Sequence, residues 1–536
     1  MFTGKIPPTA VNFEHFLPVS NPNSIFLKPT DDLEVKQIIS TLKNSYSKGH
    51  DNLSVNTIKN CSDQVARPLS MIFNKSFEYG VVPNNLKIAK IIPVFKSDDK
   101  KLVSNYRPIS VLPAFSKILE RLMYNRLLHF IDQHNILSNS QFGFRKKIST
   151  TMALLELVDK ISTSMEKNEF TIGIFIDLAK AFDTVNHQIL LAKLYHYGIR
   201  GIAHDWFKNY LSNRLQYVHF NNTESNRLPV TCGVPQGSIL GPLLFIIYIN
   251  DLNVVSKLVT FIMFADDTNI FISGKNLDNI TCTVNEELNI INEWFSANLL
   301  SLNIKKTNYI LFGNKGMADV SISIGGSRIT RVFETKFLGV IIQANLKWNA
   351  HISLIANKTS KTVGVINKVK NILNSTYLKI LYQSLIEPYL NYCCIIWASP
   401  LKSCALESLL KIQKRSVRAI THSSYRAHSK PLFKKLSILT IYDIYLSQLL
   451  QFVYKSINHL FPSYICYFTK TKDIHSHNTR GRNSKLYVIT AQKRSRFTSI
   501  AYQGPKYWNT LPETIQTASS LSIFKASLKH YLLSNN

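Results

Sequence analysis

Apolar residues recur along this chain in two rhythms. From Ser116 to Asn135, the positions Ile118, Leu119, Leu122, Leu127, Leu128 and Ile131 return at three- and four-residue steps, the spacing of an amphipathic helix. Residues 62–79 follow the same helical rhythm and meet a stop at Gly80. Asp31-Asp32-Leu33-Glu34 opens another helix with acids in its first turn, where the helix dipole favours them. Helices are also predicted over His187–Tyr197, 277–299, Leu406–Ile420 and Ile441–Ile457. Gly241–Leu252 opens with Gly-Pro and is apolar nearly all round, as a buried helix is. The second rhythm is short apolar runs that read as strands: Leu86–Phe95, Ile172–Ile176, Leu258–Phe264, Ile270–Ile272, the end of Leu302–Phe312, and Lys336–Ile342. Residues 1–30 are rich in Pro and Asn and read as extended, and Lys48–Asn52 and Lys96–Val103 read as loops. Strand, helix, strand-turn-strand, helix, strand predicts an α+β sheet with helices on one face. Beyond Trp348 the chain reads as mostly helical.

Two of these strand runs end in acids. Asp177 follows Ile172–Ile176, and Asp266-Asp267 sits between the runs that end at Phe264 and begin at Ile270. An Asp-Asp pair in a turn is by itself an ordinary solvated loop. Adjacent carboxylates repel, however, and a divalent cation such as Mg²⁺ relieves that repulsion. Asp177 and Asp266 side by side would hold two metals ~3.5–4 Å apart, the arrangement that activates an attacking hydroxyl and stabilises a leaving pyrophosphate.

Charge adds a partner. The formal net charge is +30, and residues 345–536 carry 27 Lys/Arg against 5 Asp/Glu, while the first 344 residues carry 36 against 28. A basic C-terminal part beside clustered acids points to a polyanion held next to a metal site. The seven cysteines, Cys61, Cys232, Cys282, Cys393, Cys394, Cys404 and Cys466, show neither C-x-x-C nor Cys/His zinc spacing, so neither a disulfide framework nor a zinc knuckle is expected. The first residues lack an apolar secretory segment, and the longest apolar run, Pro242–Ile249, is too short to span a bilayer. A soluble, intracellular protein without membrane partners is the expectation, in cytoplasm or nucleus.

Seven motifs in order extend this picture: Asn105-Tyr106-Arg107-Pro108-Ile109-Ser110, Gln141-Phe142-Gly143-Phe144-Arg145, Phe175 to Asp183, Gly233 to Pro242 with Pro235-Gln236-Gly237 inside it, Phe264-Ala265-Asp266-Asp267, Ser301 to Thr307, and Lys336 to Val340. Together they resemble the reverse transcriptase of non-LTR (LINE-type) retrotransposons of the Jockey and CR1-like groups, over roughly residues 25 to 536. The resemblance implies a right-hand polymerase with fingers, a ferredoxin-like palm and a helical thumb. It also implies RNA-directed DNA synthesis with RNA template, DNA primer, dNTPs and two Mg²⁺ ions, Mn²⁺ being a substitute. Asp177 and Asp266 would be the metal ligands, with the backbone carbonyl of Leu178 completing a site and Asp267 in support. Lys96 and Arg107 would clamp the triphosphate, Arg107 through paired hydrogen bonds. Phe182 would lie beneath the sugar and exclude a 2′-hydroxyl, although it is also what a core phenylalanine looks like. Gln236 would contact nucleotide or template, Gly237 would permit close backbone approach, and Ala265 would be small beside the primer end. Lys306, with Lys305 as competitor, would protonate the leaving pyrophosphate. Phe337-Leu338-Gly339 would grip the primer. Arg480, Arg482, Lys493, Arg494 and Arg496, set among Tyr and Phe, would contact RNA or single strands.

The implied layout is residues 1–75 as an extension, 76–345 as fingers and palm, 346–425 as thumb and 426–536 as a basic C-terminal region. Fewer than 30 residues precede the first matching block, so the endonuclease that elements of this kind carry is expected from another protein or a missing region. The other readings are a catalytically silent or domesticated fragment that only binds nucleic acid, and a related intron maturase or telomerase. The intact acids, Arg107 and the Pro-Gln-Gly turn argue against the silent fragment, and Ala265 with the C-terminal pattern argues against the maturase or telomerase.

Overall fold

The computed structural model describes residues 11–97, 99–313, 320–400, 405–462, 464–465, 467–474 and 485–535. Its centre is a five-stranded sheet, antiparallel except for the short edge strand Thr330–Arg331, which runs parallel to Asn308–Phe312. Phe170–Ile176 lies between Asn308–Phe312 and Asp267–Gly274, and Thr260–Phe264 flanks the latter. In chain order this is strand, helices, strand, strand, helix, strand. The intervening helices are His187–His196, Ile202–Leu211 and Gly241–Tyr248, then Leu277–Ala297 before the last strand.

Helices cover both faces of this sheet rather than one. Ile172, Ile174, Ile176, Ile270 and Leu311 pack into one core with Val284, Leu288 and Trp294 of Leu277–Ala297 and with Leu244 and Phe245 of Gly241–Tyr248. The alternate positions Phe175, Phe271, Ile310 and Phe312 pack into another with Met152, Leu154 and Leu157 of the helix Thr150–Glu166. A strand buried on both sides needs apolar residues at every position, which is why Ile172–Ile176 reads as a continuous run and not an alternation. Period-two side-chain direction then divides it between the two cores.

Beneath the first face lies a fully buried ion pair. Lys193 Nζ is 2.6 Å from Asp251 Oδ1 and also donates to the Tyr248 carbonyl at 2.6 Å. Trp294 Nε1 donates to Asp251 Oδ2 at 2.8 Å. Burial pushes the Lys193 ammonium down, against Asp251. Removing one partner of such a pair would strand a buried charge.

A second sheet pairs Ile88–Phe95 antiparallel with Tyr106–Val111 and parallel with Arg214–Phe220. The helices Asp32–Thr41 and Ser62–Tyr79 pack on each other and into the first core, the latter ended by Gly80. Gly241–Tyr248 is shorter than predicted and is followed by a tighter helical turn, Asn250–Val254. The single strand expected over Lys336–Ile342 is a hairpin, Glu334–Phe337 paired with Val340–Gln343, because Leu338 and Gly339 both take positive φ, 44° and 81°. Beyond it come the helices Asn349–Val369, Ser375–Leu385, Leu406–Ile420 and Ile441–Ile457. Leu450, Val453, Trp508, Phe524 and Leu528 form a separate core that seats the last helix, Leu521–Asn535. No single described helix is long and apolar enough to cross a membrane; the bent pair Ser429–Leu436 and Ile441–Ile457 passes that test jointly, but Ile441, Ile444, Tyr445 and Leu449 are buried in the core. Cys61, Cys232, Cys282, Cys393 and Cys394 are free thiols, and Cys404 and Cys466 lie outside the described residues.

Candidate active site

The sheet brings the three acids together. Ile176 pairs with Thr268, and Phe264 pairs with Asp267 across the hairpin turn. Asp177 therefore stands one register step beyond, facing the Asp267 end of the neighbouring strand, with Asp266 at the tip. Positions facing across antiparallel strands have Cα atoms about 5 Å apart. The carboxylates feel one another. Burial raises Asp266, with Asp177 adding repulsion against the opposing pull of its own backbone N–H, Arg107 and Lys96. Asp267 is pushed up to about 6 by desolvation, then by Asp266 and Asp177. Its side chain reaches solvent at the hairpin.

Among the described residues, no three His, Cys, Asp or Glu side chains close into a metal cage. Mg²⁺ sites are built from one or two carboxylates completed by water and substrate phosphates, so an open set is what this ion uses. Crowded, desolvated carboxylates are a fit for a divalent cation. Leu178 fits as well. It bridges Leu302 through bonds made on either side of it, Asn303 N–H to the Asp177 carbonyl at 2.8 Å and Ala179 N–H to the Ser301 carbonyl at 2.9 Å. The Leu178 carbonyl takes no part in that bridge and points away from it. The same bridge carries the loop with Lys305 and Lys306, both exposed, to the end of the Asp177 strand. It does not separate the two lysines.

Lys96 and Arg107 share one face of the Ile88–Phe95 hairpin. Val94 pairs with Arg107, and Lys96 N–H donates to the Asn105 carbonyl at 2.9 Å. Facing residues of an antiparallel pair point the same way. Both cations are exposed, and both act on Asp266.

Gln236 is held from two sides. Its Nε2 donates to Asp183 Oδ1 at 2.9 Å, and its carbonyl accepts from Ser110 N–H at 2.8 Å. Gly237 has φ +125°, and a Cβ there would lie 2.5 Å from the Ser110 carbonyl oxygen. The Asn105–Ser110, Phe175–Asp183 and Pro-Gln-Gly motifs thus meet at one point. Below it, buried Glu120 accepts from Ile239 N–H at 2.7 Å and from the Tyr210 hydroxyl at 2.8 Å. Asp183 and Glu120 went unassigned in the sequence. Asp183 lies six residues after Asp177 inside a motif, which is a usable signal; Glu120 sits in a helix that reads only as amphipathic.

Phe182 is half-buried, stacked on Phe245 and edge-on to Phe144. Ala265 is 5% exposed at φ +56°, so its small side chain turns into the protein at the hairpin tip. Phe337 is buried against Phe175, and the Leu338 carbonyl accepts from the Tyr392 hydroxyl at 2.7 Å. The Phe337–Gly339 turn therefore reaches the Asp177 strand through the Phe337 side chain, and one of its backbone acceptors is engaged. Tyr392 lies 54 residues away in sequence, and no local pattern points to it.

Two basic residues of the C-terminal region do something other than expected. Arg496 pairs with Asp159 at 2.6 Å, and Lys493 donates to Asn168 Oδ1 at 2.5 Å and to the Met165 carbonyl. The Glu166 carboxylate accepts from the Gln492 and Lys493 backbone. These cations dock the C-terminal region at the Thr150–Glu166 helix and the turn after it, Arg496 on a carboxylate and Lys493 on an amide oxygen and a backbone carbonyl. Arg480, Arg482 and the side chain of Arg494 lie outside the described residues.

With this geometry in place, residues 96–342 match the family model for "Reverse transcriptase (RNA-dependent DNA polymerase)". That segment is similar to the reverse transcriptase family. It is 28% identical over 424 residues to the RNA-directed DNA polymerase from mobile element jockey of Drosophila melanogaster, covering 76% of this chain and 46% of that protein. It is 27% identical over 435 residues to the probable RNA-directed DNA polymerase from transposon X-element of the same organism, covering 78% and 47%. A putative COX1/OXI3 intron 2 protein of Saccharomyces cerevisiae is 28% identical over 237 residues, 43% of this chain and 24% of that protein. The chain thus spans about half the length of the first two relatives.

Proposed function

We propose that the chain is an RNA-directed DNA polymerase of a non-LTR retrotransposon, adding dNTPs to a primer 3′-hydroxyl on an RNA template. The observation that carries this reading is the register that sets Asp177 beside the Asp266-Asp267 hairpin under Lys96 and Arg107. Asp177, Asp266 and the Leu178 carbonyl would hold two Mg²⁺ ions, with Asp267 in support; when bound, these would supply activation of the 3′-hydroxyl and charge neutralisation at the phosphates. Lys96 and Arg107 bind the triphosphate, and Gln236, oriented by Asp183, contacts the nucleotide or its template partner. Phe182 lies under the sugar, and Lys306 or Lys305 gives a proton to pyrophosphate. Fingers and a ferredoxin-like palm occupy residues 76–345 and a thumb 346–425, with residues 426–536 as a basic C-terminal region. Exposed Lys358, Lys361, Lys411 and Arg415 on the thumb helices meet duplex phosphates.

The test is incorporation of labelled dNTP on an RNA template–primer with Mg²⁺. Extension is expected from the wild type and its loss, by 10³-fold or more on the order of a removed metal ligand, from Asp177→Asn and Asp266→Asn, with RNA binding retained. Equal extension by wild type and variants refutes the assignment. Binding without any extension by the wild type favours the silent fragment.

A further inference from the structure

The geometry points to Gln141 as a positioning residue that sets the Asp266 carboxylate by holding the backbone of Ala265; this rests on the polymerase reading above. Gln141 is 1% exposed. Its Oε1 accepts from two backbone donors, Gly143 N–H at 2.7 Å and Ala265 N–H at 2.9 Å. Two donors on one atom fix which end of the amide is oxygen. Nε2 is then left buried, with no hydrogen-bond partner among the described residues. Packing alone does not explain a glutamine here. Methionine would fill the same space without an orphaned donor.

What the oxygen holds is the residue before Asp266. Ala265 has φ +56°, a region that alanine enters only against a steric penalty. The neighbouring backbone is laced to the same segment, with Phe142 N–H donating to the Met263 carbonyl at 2.8 Å and Met263 N–H to the Ser140 carbonyl at 2.9 Å. The fit is close: a Cβ on Gly143 would lie 2.3 Å from the Ala265 nitrogen. The segment is anchored behind by Arg145, which donates to the Ser138 carbonyl at 2.7 Å, and by Asn250, whose Oδ1 accepts from Ser138 N–H at 2.8 Å. A contact 124 residues away in sequence thus holds the hairpin tip in its strained form. Gln141 itself touches no reacting atom in this role.

The experiment combines Gln141→Met with Ala265→Gly, because glycine takes positive φ without help. In primer extension, Gln141→Met should lower kcat about 10- to 100-fold, with KM for dNTP and template–primer affinity within about threefold. Adding Ala265→Gly should recover at least about threefold of that loss, a coupling expected only if Gln141 acts through residue 265. Mn²⁺ titrated into the protein–template–primer complex and followed by electron paramagnetic resonance should bind severalfold more weakly to Gln141→Met and regain affinity in the double variant. Should Gln141→Met fail to fold, Gln141→Asn with and without Ala265→Gly reads the same coupling. Unchanged kcat and Mn²⁺ binding overturn the inference, as does a loss that follows thermal stability and ignores residue 265. A wild type that neither extends nor depends on Asp177 defeats the polymerase reading instead, and the Mn²⁺ comparison still judges Gln141.

Discussion

Phe182 lies nearly flat on Phe245, ring centroids 4.3 Å apart and 23° between planes, and meets Phe144 edge-on at 6.1 Å. Its position is therefore fixed by two other rings, and a gate must be rigid to exclude one oxygen atom. Phe182→Ala is expected to raise ribonucleotide use relative to deoxynucleotide by about tenfold or more. It should also cost about 1–3 kcal/mol of stability, since half of the ring is packed. Competitive incorporation of rNTP and dNTP measures the first; unchanged discrimination would remove the gate.

Asp267 is held up at about 6. A raised carboxyl pKa means the proton leaves later as pH rises, so below pH 6 protons compete with cations for this acid. The Mg²⁺ concentration giving half-maximal extension should rise about fourfold between pH 7.5 and pH 5.5. Magnesium titrations at the two values check this, and a constant midpoint would contradict it.

Gly237→Ala sets a Cβ 2.5 Å from the Ser110 carbonyl oxygen at a backbone angle alanine resists. A loss of roughly 1–3 kcal/mol in stability is expected. KM for dNTP should rise with it, because the turn carries Gln236. Wild-type KM in a folded variant would show that the turn does not serve the nucleotide.

His351 is buried against Trp397, ring centroids 5.3 Å apart, and its pKa falls to about 4 through burial, then Lys358 and Lys336. The folded pKa lies below the unfolded one. Stability from the neutral ring is therefore complete above about pH 6.5 and drains away as pH falls toward 4. Between pH 6.5 and pH 5 this should remove about 2 kcal/mol. Thermal unfolding of wild type and His351→Asn at both pH values measures it; an equal pH response in both would exclude His351 as the cause.

Much of this was legible in residues whose neighbours in sequence are also neighbours in space. The Asp-Asp hairpin, the helix ended by Gly80 and the helices Leu406–Ile420 and Ile441–Ile457 depend on local rhythm and turn chemistry. The two-sided covering of the sheet was present in the unbroken run Ile172–Ile176, yet an apolar run looks alike whether one helix layer follows or two. Gln141, Tyr392 and Glu120 act on backbone groups far along the chain, and such contacts leave no periodic trace. Lys493 and Arg496 mislead for the same reason: a cation in sequence does not say which acceptor it will meet.

Phe337 rests on Phe175, ring centroids 6.1 Å apart, two residues before Asp177. The Leu338-Gly339 turn and the acid-bearing strand thus share one core, joined through aromatic carbon. On the proposed polymerase reading, a growing end that seats badly on that turn would pass its misfit through those two rings to the strand that leads to Asp177.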